Sequence, residues 1–191
     1  RRFTYEEAQQ IIETGKGDFA EEVLTLNRLA QRMRKTRFKR GAVSFQREEA
    51  KFKLDAEGKP LGVYFKEQKE ANQLIEEFML LANKQVAEFC GHHKVNGRAV
   101  RRTMVYRVHD VPNEEKLEKF RTFVLRFGYV FKADKGRAVA KEMNKLFKQI
   151  KGTTEENAVS TMAVRSMAKA YYTTDNIGHY GLAFPYYTHF T

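Results

Sequence analysis

Lys51-Phe-Lys-Leu-Asp-Ala-Glu-Gly-Lys-Pro-Leu-Gly-Val-Tyr-Phe-Lys66 alternates apolar and polar residues on both sides of a turn-forming centre. Residues two apart share one face of a strand, so Lys51–Leu54 and Leu61–Lys66 read as strands. Asp55-Ala-Glu-Gly-Lys-Pro60 supplies the turn between them. Ala42-Val-Ser-Phe45 alternates in the same way, and a small antiparallel sheet is expected here. The chain on either side of this stretch has helical period. Helices, then strands, then helices, without a repeating strand–helix alternation, place the fold in the α+β class: helices packed around a small mixed or antiparallel sheet.

Upstream, Thr4-Tyr-Glu-Glu7 has the form of a capping box and predicts a helix from Tyr5 to Thr14, closed by Gly15 and Gly17. Asp18-Phe-Ala-Glu21 repeats the capping signal. Phe19, Val23, Leu26, Leu29 or Ala30, and Met33 then recur at helical spacing, in a helix ending before Gly41. The strongest helix runs from Glu70 to Cys90, with Leu74, Ile75, Phe78, Leu81, Ala82, Val86 and Phe89 as its apolar, core-facing side. Met104–Val108 reads as a buried strand, and Asp110-Val-Pro-Asn113 breaks it to start a helix through Leu117, Phe120, Val124 and Phe127. Further helices are expected over Gly136–Ile150 and Glu155–Tyr171, and no fixed-period repeat is present.

A length of 191 residues suits a single domain over residues 1–191. Cys90 is the sole cysteine, which excludes an internal disulfide and a cysteine-rich zinc site and suits the cytoplasm. No apolar run approaches the roughly 20 residues that span a bilayer, so no membrane partner is expected. The net charge of +11 suits a polyanion. Arg28, Arg32, Arg34, Lys35, Arg37, Lys39 and Arg40 follow one another with no intervening acid, which makes Arg34, Arg37 and Arg40 candidate phosphate contacts. The same run also reads as a solvated helix end. His92 and His93 are adjacent and project apart, so no zinc ligand is assigned.

A series of segments in sequence order resembles the RNB-type exoribonucleases, ribonuclease R and ribonuclease II. They are Phe3-Thr-Tyr-Glu-Glu-Ala8, Gly41-Ala-Val-Ser-Phe45 with Glu48-Glu-Ala-Lys-Phe52, Leu74-Ile-Glu-Glu-Phe-Met-Leu-Leu-Ala-Asn83, Val105-Tyr-Arg-Val-His-Asp-Val-Pro112, and the run from Arg165-Ser-Met167 through Asn176-Ile-Gly-His-Tyr-Gly-Leu-Ala183 to His189-Phe-Thr191. The forms of the second and last are more similar to ribonuclease R. The resemblance implies processive 3′ to 5′ hydrolysis of single-stranded RNA to nucleoside 5′-monophosphates, with divalent metal held by clustered aspartates. Asp18, Asp55, Asp110, Asp134 and Asp175 are scattered and do not form that cluster. The chain opens on Arg1 and stops at Thr191, where the family's Ser-Pro-Ile-Arg-Arg-Tyr segment begins. The expectation is therefore an incomplete RNB catalytic domain, truncated at both ends, with Mg²⁺ in the parent enzyme and none bound by this stretch.

The resemblance also assigns RNA contacts. Phe45 is similar to the family aromatic that packs on a base near the 3′ end, the alternative being ordinary core. Tyr5 is similar to a tyrosine near the cleaved end, the alternative being packing of the first helical turn. Glu76 is similar to an acidic residue that favours RNA, where a carboxylate accepts from the 2′-OH. A shift of one residue would give the role to Glu77, and an exposed helix acid is the plain alternative. His179, Tyr180 and His189 read as scaffold. The competing readings are a noncatalytic basic RNA-binding module and a helical protein-interaction domain using the Glu70–Cys90 face. No oligomeric state is assigned.

Overall fold

The computed structural model describes residues 1–44, 49–66, 68–92, 94–95, 97–100, 103–133 and 136–191. Its helices are α1 (Tyr5–Thr14), α2 (Ala20–Lys39), α3 (Glu70–Gly91), α4 (Glu114–Leu125), α5 (Arg137–Ile150) and α6 (Glu156–Ser166). Its strands are β1 (Glu49–Leu54), β2 (Pro60–Lys66), β3 (Lys94–Val95), β4 (Arg98–Ala99), β5 (Tyr106–Val108) and β6 (Tyr171–Thr173). The class is α+β, but the strands form separate antiparallel pairs, β1–β2, β3–β4 and β5–β6, where one small sheet was expected. The residues divide into two compact units, 1–33 with 46–78 and 34–45 with 79–191. None of the described helices is long and apolar enough to cross a membrane.

In the first unit, α1 begins as its sequence dictates. The Thr4 hydroxyl accepts from the Glu7 N–H at 3.1 Å, and the Glu7 carboxylate accepts from the Thr4 N–H at 2.7 Å. The helix ends where the Gly15 N–H returns to the Ile11 carbonyl. The second capping signal is not used as expected. Asp18 pairs with Arg1, and Phe19 takes the position before α2 at φ +56°, a left-handed conformation uncommon for an aromatic residue. Its ring is exposed and meets Phe3 edge-on, so it does not join a core face.

Along α2 the buried positions in this unit are Asn27 and Ala30, while Leu26 and Leu29 are exposed. Asn27 faces inward because its amide donates to the Glu70 carboxylate at 2.8 Å. The Ala71 N–H at the start of α3 donates to the Gln9 side chain of α1 at 3.0 Å, so one glutamine links the two helices.

β1 and β2 pair as read from the sequence, with Phe52 opposite Val63 and Lys51 opposite Tyr64. Asp55 closes the turn by accepting from the Glu57 and Lys59 N–H groups at 3.0 and 2.7 Å. Phe52, Leu54, Leu61 and Val63 are each more than half exposed.

The second unit holds the main core. Leu117, Phe120 and Val124 of α4 meet Val139, Ala140, Met143, Leu146 and Ile150 of α5, with Val159 and Ala163 of α6 and Phe131 between the helices. α6 packs on both α4 and α5. α4 starts at its Asn113 cap, whose side chain accepts from the Lys116 N–H, but ends at Leu125 and leaves Phe127 exposed. α6 stops at Ser166, short of the expected Tyr171. The Ser166 hydroxyl returns to the Ala163 carbonyl at 2.7 Å, the backbone turns extended at Met167, and Tyr171–Thr173 pairs with β5. β-rich aromatic and branched residues prefer a strand once a partner edge is present.

The inward face of α3 is also displaced from the expected one. Ala71, Leu74, Glu77, Leu80, Asn83 and Ala87 are buried, and Ile75, Met79, Val86 and Phe89 are exposed. Core burial therefore does not account for the apolar residues on that side of the helix. Replacing Phe120, fully buried against Phe131 at a ring separation of 5.3 Å, tests the core of the second unit. Phe120→Ala is expected to cost about 3–5 kcal/mol in a denaturant titration.

Candidate functional site

The carboxy-terminal segment folds around one histidine. His109, at the end of β5, donates its backbone N–H to the Gly178 carbonyl at 3.0 Å and accepts from the Tyr180 N–H at 2.8 Å. Its ring Nδ1 accepts from the Gly181 N–H at 2.9 Å, so the proton lies on Nε2 and is donated to the Ala168 carbonyl at 2.8 Å. Burial pulls the imidazole below its usual pKa, against the opposing effect of the Ala168 carbonyl. A side chain at Gly181 would press within 3.1 Å of this ring, which hydrogen bonds hold in place. The local sequence is thus constrained by a ring distant in the chain.

His179 sits 5.0 Å from His109, ring to ring, and edge-on to Tyr187 at 5.1 Å. Its Nδ1 accepts from the Leu182 N–H at 3.3 Å and closes the short 3-10 turn Tyr180–Leu182. Burial, with a further push from His109, lowers its pKa to about 3. Tyr180 donates its hydroxyl to the Gly136 carbonyl at 2.8 Å, and burial raises its pKa to about 12. These groups carry hydrogen bonds that position backbone.

Asn83 of α3, fully buried, fastens the end of the segment. Its side-chain oxygen accepts from the Phe190 N–H at 3.2 Å, and its amide donates to the Thr191 hydroxyl at 2.9 Å. The Tyr187 hydroxyl lies 3.1 Å from His189 Nδ1, and Thr188 donates to the Val105 carbonyl at 2.8 Å. Tyr187 is raised in pKa by burial, while the charges of Arg107 and Arg37 act in the opposite direction.

Asn144 of α5 does similar work at the other candidate segment. Its carbonyl accepts from the Ser44 N–H at 2.8 Å and its amide donates to the Ala42 carbonyl at 2.7 Å. The Val43 N–H donates to the Gly181 carbonyl at 2.9 Å. Over Ala42–Ser44 these bonds stand where a strand was expected, and they set the path of the chain up to Ser44. Phe45 itself lies outside the described residues.

Asn83 and Asn144 were not assigned roles from sequence. The available signal was an asparagine, a weak helix former, at interior positions of two helices.

Of the basic run, Arg40 is exposed, Arg34 is half-buried and Arg37 is buried. The guanidinium groups of Arg34 and Arg37 each lie 4.9 Å from the Phe38 ring. Tyr5 is exposed on the first turn of α1. Glu76 is half-buried on α3, and its neighbour Glu77 is buried. Tyr5 and Glu76 belong to the first unit and the arginines to the second.

Among the described residues, three of the aspartates have local partners. Asp18 pairs with Arg1, Asp55 closes the hairpin turn, and Asp110 accepts from the neighbouring Val111 N–H at 2.7 Å. Among the described residues there is no group of three or more His, Cys, Asp or Glu able to hold a metal ion.

Asn83→Ala is expected to cost about 1–3 kcal/mol, because the Phe190 N–H loses its buried acceptor, and to speed amide exchange at Phe190. The histidines predict a pH dependence. His109 and His179 both have folded-state pKa values below the ordinary 6.5, so the unfolded chain binds protons first as pH falls. Their contribution is complete above that ordinary value and is lost as the pH drops towards the His179 value of about 3. Melting temperature is expected to fall between about pH 7 and about pH 5, with a flatter profile for His179→Asn, which keeps an acceptor near the Leu182 N–H.

Comparison with known proteins gives these features a family. The model of the RNB domain matches residues 1–191. DIS3-like exonuclease 2 of Schizosaccharomyces pombe is 36% identical over 215 residues, covering 100% of this chain and 22% of that protein. Ribonuclease R 1 of Lactococcus lactis subsp. lactis is 33% identical over 199 residues, covering 100% of this chain and 23% of that protein. The chain thus spans less than a quarter of the length of either relative. The structure of Mycoplasma genitalium RNase R in complex with ribose methylated single-stranded RNA is similar in fold, with a TM-score of 0.84 at 22% identity, covering 100% of this chain and 29% of that one. Matched from its first residue to its last, the chain belongs to the RNB domain family.

Proposed function

We propose that residues 1–191 act as one part of the catalytic domain of a processive 3′ to 5′ exoribonuclease that hydrolyses single-stranded RNA to nucleoside 5′-monophosphates. The observation that carries this reading is the RNB domain match over the whole chain. The chain's own contribution is to hold RNA, and Mg²⁺ belongs to carboxylates elsewhere in the parent enzyme. The cytoplasm is the proposed location, in keeping with the lone Cys90.

In this reading Phe45 stacks on a base near the 3′ end, Tyr5 meets a phosphate or sugar there, and Glu76 accepts from a ribose 2′-OH. Glu76 is preferred to Glu77 because it is the less buried of the two. Arg40 and Arg34 are the better phosphate contacts of the basic run. Arg37, buried beside Phe38, contributes to the local potential.

A noncatalytic RNA-binding module is the second reading, favoured by the scattered carboxylates. The 191-residue chain is expected to bind single-stranded RNA without degrading it in Mg²⁺. Mg²⁺-dependent, EDTA-sensitive degradation by a clean preparation would overturn the assignment of the metal ligands to other residues. In filter binding, affinity is expected to fall steeply between about 50 and about 200 mM salt, and Arg40→Gln to reduce the slope by about one. Phe45→Ala is expected to cost about 1–3 kcal/mol of binding. Glu76→Gln is expected to narrow the preference for RNA over DNA. Equal binding of both nucleic acids by the unaltered chain would remove the role given to Glu76.

A further inference from the structure

The β5–β6 pair carries an exposed aromatic surface that none of the contacts above uses. Arg107 of β5 lies directly opposite Tyr172 of β6, so the two side chains share one face of the pair. Tyr106 and Val108, the alternate residues of β5, point to the other face and are buried with Ala87, Met104 and Tyr186. Tyr172 is more than half exposed, as are its neighbours Tyr171 and Phe190.

The Tyr172 ring is held in place. Arg107 lies over it, 4.9 Å from guanidinium carbon to ring centroid, and the hydroxyl donates to the His189 carbonyl at 3.4 Å. The Arg107 N–H in turn donates to the Tyr187 carbonyl at 3.0 Å, which fixes the strand against the carboxy-terminal segment. The result is a ring about half exposed, with a cation over one of its faces and its strand paired to β5. Such a ring loses little freedom when a ligand settles on it.

A base has a π-face to offer and a phosphate one nucleotide away, and single-stranded nucleic acid binds where aromatic faces and cations are interleaved. The cation here is an arginine, whose planar group can cover a ring while presenting N–H donors at its edge. The chain's net charge of +11 favours the same class of partner. We propose that Tyr172, with Arg107 over one face of its ring, offers the other face as a stacking platform for one base of single-stranded RNA, with Arg107 donating to the adjacent phosphate. The platform uses none of Tyr5, Phe45 and Glu76, and it rests on the reading of the chain as an RNA binder.

The test is fluorescence anisotropy with the full 191-residue chain, a labelled oligouridylate, and the same oligomer with abasic nucleotides. Tyr172→Ala is expected to weaken binding of the base-bearing oligomer about tenfold and to leave abasic binding unchanged. Tyr172→Phe, which keeps the ring, is expected to bind as the parent does. Arg107→Gln is expected to lower the salt slope by about one on both oligomers. Melting curves on each variant separate loss of contact from loss of fold.

Unchanged binding by Tyr172→Ala, with the parent chain binding normally, overturns the platform and leaves the RNA reading intact. Equal weakening on both oligomers also overturns it, because the defect would not involve a base. Failure of the unaltered chain to bind either oligomer at low salt overturns the RNA reading and the platform with it.

Discussion

The neutral imidazole of His109 is the constraint on which the carboxy-terminal half of the molecule depends. Its two ring nitrogens and both of its backbone groups are engaged, with the end of α6, the Gly178 bend and the 3-10 turn as partners. A buried polar ring is costly unless each of its groups finds a partner. Once all do, the ring can occupy a single tautomer and orientation. Segments distant in sequence are thereby given a common frame. The glycine at 181 suits that frame, since a side chain there would meet the fixed ring at 3.1 Å and force it to shift.

The same logic recurs with amides. Asn83 organises Phe190 and Thr191, and Asn144 organises Ala42 and Ser44. Each places one side chain against irregular backbone that no helix or sheet satisfies. The division of labour is between buried polar groups that shape the chain and exposed aromatic and basic groups that face solvent. Histidines with depressed pKa values belong to the first class. Their shifts arise from the same burial that makes those hydrogen bonds necessary. The basic run contains both classes, with Arg37 buried and Arg40 exposed. Net charge alone overstates the number of cations available to a phosphate chain.

Local signals were read well where a few neighbouring residues settle the matter. The Thr4–Glu7 box, the Asp55–Pro60 turn and the Asn113 cap each form through contacts within a few residues. The motifs that resemble RNB enzymes were legible for a different reason, being strings of residue identity that need no coordinates. Phe19 and the end of α6 were misread because a competing partner intervened: Arg1 takes Asp18, and β5 takes Tyr171–Thr173.

The sequence alone determined the Thr4 cap of α1, the hairpin, the α+β class and the family of the chain, because such caps, turns and motifs are written in short stretches. Tertiary structure decided which side of α3 turns inward, where α6 yields to a strand, and which asparagines and histidines are buried. Periodicity locates apolar residues, but it does not say which backbone groups elsewhere will lack a hydrogen-bond partner. Glu77, Asn83 and His109 are inside, and Ile75 and Phe89 outside, as the assembled chain dictates. For Asn83 and His109 the reason is visible: each satisfies backbone from a remote segment that exists in that position only after folding.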